Sequence, residues 1–125
     1  MLRESKHKVL FITEANKSIG FGHLYRSIAL AQSLDKVFEF EFCVNDNFTE
    51  NSNLILSFFP EIVIMKESEL LNQVKKYDFI IVDVFNQHVN RVSKLLNNFS
   101  GKKALLIDDV FYKKNYDFEI IFRIG

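Results

Sequence analysis

Residues 8–34 read KVLFITEANKSIGFGHLYRSIALAQSL: an apolar run, a polar stretch carrying two glycines, and then a helical apolar pattern. In the last part Leu24, Ile28, Ala31 and Leu34 fall on one helical stripe. The segment therefore predicts a strand, a loop and an amphipathic helix. The same alternation continues to the end of the chain. Further strands are expected at Phe38–Val44, Glu61–Met65, Phe79–Val84, Lys103–Asp108 and Phe118–Ile124. Shorter helices are expected over Leu54–Phe59 and Leu70–Val74, and Val89, Val92, Leu95, Leu96 and Phe99 form a second long stripe. VLFI, FIIVDV and ALLI are continuous apolar runs, as in strands buried on both faces of a parallel sheet. In the second strand Phe38, Phe40 and Phe42 share one face and Glu39 and Glu41 the other, so the glutamate face is expected nearer solvent. Pro60 closes a helix before the third strand. The sequence thus predicts an α/β fold, a Rossmann-like parallel sheet with right-handed crossovers and helices on both faces.

The chain has 125 residues, enough for one core, and residues 1–125 are expected to form a single domain. Lys plus Arg and Asp plus Glu both number 16, so the surface as a whole is not prepared for nucleic acid or an anionic membrane. The lone Cys43 excludes an internal disulfide, is expected in the core, and fits a reducing compartment. No metal site is expected, because the three histidines and one cysteine lack ligand spacing, and no cofactor is indicated. His7 and His88 are expected at the surface. The hydrophobic run after MLRESKHK is too short for a signal peptide or a membrane span, so a cytoplasmic protein is expected.

In a sheet of this kind ligands bind beyond the carboxyl ends of the strands, at the point where strand order reverses. That rule selects the loop Glu14–His23, Asp83 after the fourth strand, and Asp108 and Asp109 after the fifth. Gly20 and Gly22 offer backbone angles closed to other residues and allow close approach of a ligand. The helix start behind them is an anion site by virtue of its free N–H groups and partial positive charge. That charge favours a neutral His23 ring, available as a base. Arg26, one turn on, is suited to a phosphate or carboxylate, with a solvent position as the plain alternative. Asp83 is placed to bind a ligand group or hold an N–H, or simply to cap a loop. Asp108 and Asp109 read as turn formers, and Phe111 and Tyr112 as residues lining the cleft or meeting a second domain.

Two phosphate-binding motifs are excluded. G-x-G-x-x-G would need glycine where Tyr25 stands, and no G-K-[ST] occurs.

Ile19, Gly20, Gly22, His23, Arg26, Leu30, Ala31 and Leu34 together spell I-G-x-G-H-x-x-R-x-x-x-L-A-x-x-L. This segment resembles the N-terminal half of the UDP-sugar hydrolases of pseudaminic acid biosynthesis and their spore-coat polysaccharide relatives. IIVDVF at 80–85 is similar to that family's V-V-D-x-Y, and LLIDDVF at 105–111 to its I-D-D-L. The broader kin are GT-B glycosyltransferases. The resemblance implies a UDP-sugar substrate, of the UDP-activated diacetamido-trideoxy sugar class, from which UDP is released. It casts His23 as the general base, or as a partner orienting water, with Gly20, Gly22, Arg26, Asp83 and Glu14 around the substrate.

The sequence departs from that pattern at several points. Thr13, Glu14, Ala15 and Asn16 stand where the family has an R-x-D-like segment, leaving Glu14 for the acidic role. Phe85 replaces a tyrosine, and the end reads IIFRIG. GT-B enzymes have two domains, the second holding the nucleotide, so the resemblance implies a separate C-terminal half as partner. Two readings remain open: a hydrolase that needs that second domain, and a non-catalytic GT-B half, or half of a related glycosyltransferase, that binds a sugar or a partner protein.

Overall fold

The chain is described by a computed structural model covering residues 7–17, 20–45, 48–107, 118 and 120–123. Asp108, Asp109, Phe111, Tyr112, Ile19 and Ile124 lie outside the described residues, and so do the readings that rest on them.

Six strands form one sheet: β1 His7–Thr13, β2 Phe38–Val44, β3 Val63–Lys66, β4 Phe79–Asp83, β5 Lys102–Ile107 and β6 Ile120–Arg123. Their order is β3-β2-β1-β4-β5-β6, and every neighbouring pair is parallel. The Rossmann-like α/β fold expected from the alternating pattern is the one observed. Parallel pairing forces each connection to cross a face of the sheet, and helices occupy the four crossovers from β1 to β5. They are α1 Gly22–Leu34, α2 Phe48–Phe58, α3 Leu70–Gln73 and α4 Val89–Leu95. Short 3₁₀ turns flank α3, and another, Asn86–His88, leads into α4.

Side-chain alternation along the strands divides the core in two. Leu10, Ile12, Ile80 and Val82 pack with Leu70, Val74, Val89, Val92 and Leu96, so α3 and α4 cover that face. Val9, Phe11, Phe40, Phe42 and Ile81 pack with Leu24, Ile28, Ala31 and Ile55, so α1 and α2 cover the other. Phe11 has no exposed surface and stacks on Phe42, with ring centroids 5.2 Å apart. Aromatic burial of this kind supplies much of the apolar area behind the fold.

The structure departs from the sequence reading in several places; the expected stripe to Phe99, for one, is helical only over Val89–Leu95. Helix α2 starts at Phe48, ahead of the apolar pattern at Leu54, because its first turns bury polar residues. Asn51 is fully buried and donates from Nδ2 to the Ala15 carbonyl oxygen at 3.0 Å. The third strand, Val63–Lys66, starts two residues and ends one residue later than expected. The glutamate face of β2 is divided: Glu39 is exposed, but Glu41 is buried. Its carboxylate accepts the Tyr77 hydroxyl at 2.7 Å and pairs with Lys76 Nζ at 3.2 Å and Lys8 Nζ at 3.6 Å. The elements packed on that face supply both the cover and the compensation that a buried charge needs.

Two buried groups give the fold a predicted alkaline limit. Burial, then the nearby Glu67 and Glu69 carboxylates, push the Cys43 thiol above its ordinary 9.0. Burial, then the bond to Glu41, push the Tyr77 phenol above its ordinary 10.0. Both ionise more readily in the unfolded chain, which binds fewer protons than the folded one at high pH. Stability is therefore full below about pH 9 and declines as pH rises beyond it. Urea midpoints at about pH 8 and about pH 10.5 should show this decline, and it should shrink in the Cys43→Ala, Tyr77→Phe double variant.

Candidate functional site

Strand order reverses between β1 and β4, so the loops leaving their carboxyl ends diverge to opposite faces. A crevice opens at such a point, and residues on those loops form its walls. Thr13 and Asp83 are register partners at this edge.

The first wall is the start of α1. Gly20 has φ +80°, in the left-handed region, and its N–H donates to the Asn16 carbonyl at 2.8 Å, closing the loop that delivers the chain to the helix. Gly22 does not share this role: it is the first residue of α1 and its φ is not positive. A methyl group added at either glycine would meet no atom within 4 Å. The N-cap residue, Phe21, makes no side-chain capping bond, and the first N–H groups of the helix lie outside its internal ladder.

His23 and Arg26, three positions apart, share one face of α1. Both turn to Asp83, whose side chain is fully buried. Arg26 Nε donates to Oδ2 at 2.7 Å, and Arg26 Nη2 donates to Oδ1, a two-pronged grip. His23 Nδ1 lies 2.7 Å from Oδ1. A carboxylate only accepts, so Nδ1 bears the proton of this contact and Nε2 is the nitrogen not engaged by Asp83. The approach of Arg26 Nη2 to His23 Nδ1, at 3.3 Å, then brings two donors together. The His23 side chain is only 9% exposed. The Thr13 hydroxyl is buried on the same sheet face and has no hydrogen-bond partner among the described residues.

The second wall was not anticipated. Glu14 is 1% exposed, and its Oε1 accepts the Phe85 N–H at 2.6 Å. His88 Nδ1 lies 2.6 Å from Oε1 and 2.8 Å from Oε2 of the same carboxylate. His88 is thus not a solitary surface residue, as its spacing suggested, but the partner of a buried acid. The Phe85 ring stands edge-on to it, with centroids 6.1 Å apart. The only sequence signal was an acid just past β1 and a histidine just past β4, two places that become neighbours only when the strands pair.

Among the described residues, the expected site residues lie at one edge in two groups: Gly20, Gly22, His23, Arg26 and Asp83 on one side, and Glu14 on the other. Arg26, Asp83 and Glu14 are engaged with groups of this chain. Among the described residues no cluster of three or more His, Cys, Asp or Glu is placed to hold a metal ion. Likewise no helix is long and apolar enough to cross a membrane. No family model matches the sequence, and no curated protein does.

The grip on Asp83 makes a specific energetic prediction. Arg26→Met leaves a buried carboxylate without its permanent cation and should cost about 3–5 kcal/mol. Adding Asp83→Leu should recover most of that loss, as read from urea denaturation of the single and double variants. The two glycines should also separate: Gly20→Ala costs about 1–2 kcal/mol for its left-handed backbone, whereas Gly22→Ala should leave stability unchanged or raised by up to about 1 kcal/mol.

Proposed function

We propose that the chain is the sugar-side domain of a nucleotide-sugar hydrolase that releases UDP from a UDP-activated diacetamido-trideoxy sugar. Its setting is the cytoplasmic stage of surface-polysaccharide or pseudaminic acid biosynthesis. A second, nucleotide-holding domain of the GT-B kind completes the site. The observation that carries this reading is the 2.7 Å contact between His23 Nδ1 and the buried Asp83. A ring whose Nδ1–H is committed to a carboxylate is fixed in tautomer and orientation, and Nε2 is left as the base. In the reaction, a water oxygen bonds to the anomeric carbon and its proton passes to His23 Nε2. The bond from that carbon to the β-phosphate oxygen breaks, and the electron pair leaves with UDP.

The other residues support this role in ways the geometry suggests. Arg26 neutralises Asp83 and so holds the ring in place, acting on substrate through His23. The first N–H groups of α1 suit phosphate oxygens, and at Gly22 no side chain blocks their approach. Exclusion of bulk water falls to the second domain.

The cover over His23 favours a second reading, a sugar-binding half without turnover in which the Asp83 cluster only ties α1 to β4. The two readings part in one assay. UDP release is followed with the UDP-activated sugar, the chain and the candidate nucleotide-binding half. His23→Ala should lower kcat by about 10²–10⁴ while changing KM little. No release by the assembled native protein would leave only the binding reading.

A further inference from the structure

The Glu14–His88 pair has no place in the mechanism above, yet it lies at the same carboxyl edge of β1 and β4, on the other side from the Asp83 cluster. β1 and β4 are adjacent, about 4.8 Å apart, and Glu14 directly follows the Thr13–Asp83 register pair. Asp83 turns toward α1 and receives a histidine from it, while Glu14 turns the other way and receives a histidine from the turn before α4. Each carboxylate is at most 1% exposed, and each holds its ring through Nδ1. Both histidines therefore keep Nε2 as the nitrogen left for other work.

The two pairs differ in charge and exposure. Asp83 has the guanidinium of Arg26, whereas among the described residues Glu14 has no Lys or Arg partner, only the Phe85 N–H and His88. The His88 side chain is 26% exposed against 9% for His23, so it is the more open of the two rings. A structural latch between the two loops would be served by the Phe85 N–H alone. The ring adds a proton-transfer position.

We infer that His88, oriented by Glu14, is a second catalytic residue of this crevice and contacts the leaving diphosphate of the nucleotide sugar while His23 contacts the water. This rests on the hydrolase reading. In the free protein Nε2 of His88 is the nitrogen open to reagent; beside the bound diphosphate it takes up a proton from solvent, and as the bond from the anomeric carbon to the β-phosphate oxygen breaks, that proton passes to the oxygen. The water proton goes to His23, and exchange with solvent restores both rings.

Carbethoxylation by diethyl pyrocarbonate, mapped by peptide mass spectrometry on the full chain assembled with the candidate nucleotide-binding half, tests contact directly. The sequence has three histidines, and His7, 75% exposed at the start of β1, is the internal standard. With the UDP-activated sugar present, His23 and His88 should both be protected several-fold and His7 not at all. Protection of His23 with His88 unchanged overturns the inference and spares the hydrolase reading. Protection of neither overturns the hydrolase reading and this inference with it. His88→Gln keeps an amide donor for Glu14, so its urea midpoint should stay near that of the native protein while turnover falls by about 10². Native turnover in that variant would also overturn the inference.

Discussion

A carboxylate with no surface in water, at the carboxyl end of β4, organises one edge of the sheet. Removing a charge from solvent costs several kcal/mol unless it is paired and hydrogen-bonded. Asp83 is offset by the fork of Arg26 and by Nδ1 of His23. Because those two residues are one helical turn apart, a single buried charge fixes the position and rotation of α1 against β4. The same contact brings the uncapped start of α1 to the point where strand order reverses. Docking of the helix and construction of the crevice are thus one event.

The opposite wall follows similar chemistry with different components. Glu14 is also removed from water, but its partners are a backbone N–H and an imidazole. Two carboxylate-held rings approach the crevice from different faces of the sheet, one guided by a helix and the other by a short 3₁₀ turn. The backbone pairing of β1 with β4 sets their relation, since Thr13 and Asp83 share a register position. Any change that slipped this register by one residue would turn Asp83 away from α1, because strand side chains alternate between faces.

The strands were legible because their apolar runs carry their own signal. VLFI, FIIVDV and ALLI are too apolar to face water on either side, and all three lie inside the sheet. What escaped was polarity made acceptable by distant partners. The first turns of α2 hold Asn51, whose amide reaches the loop after β1, so a hydrophobic pattern starts the helix too late. Glu41 reads as a solvent-facing residue until Tyr77, Lys76 and Lys8 are brought around it. His88 reads as solitary because Glu14 is far away in the chain.

The amino-acid order alone determined the alternation of strands and helices, the parallel sheet and the placement of the G-F-G-H-x-x-R segment at a helix start. Periodicity and backbone preference act over a few residues, and a single chain displays them directly. Only the tertiary structure decided that Arg26 and His23 share Asp83, that Gly20 but not Gly22 takes the left-handed conformation, and that Glu14 meets His88. Those outcomes depend on which strand ends become neighbours, and long-range packing sets that adjacency.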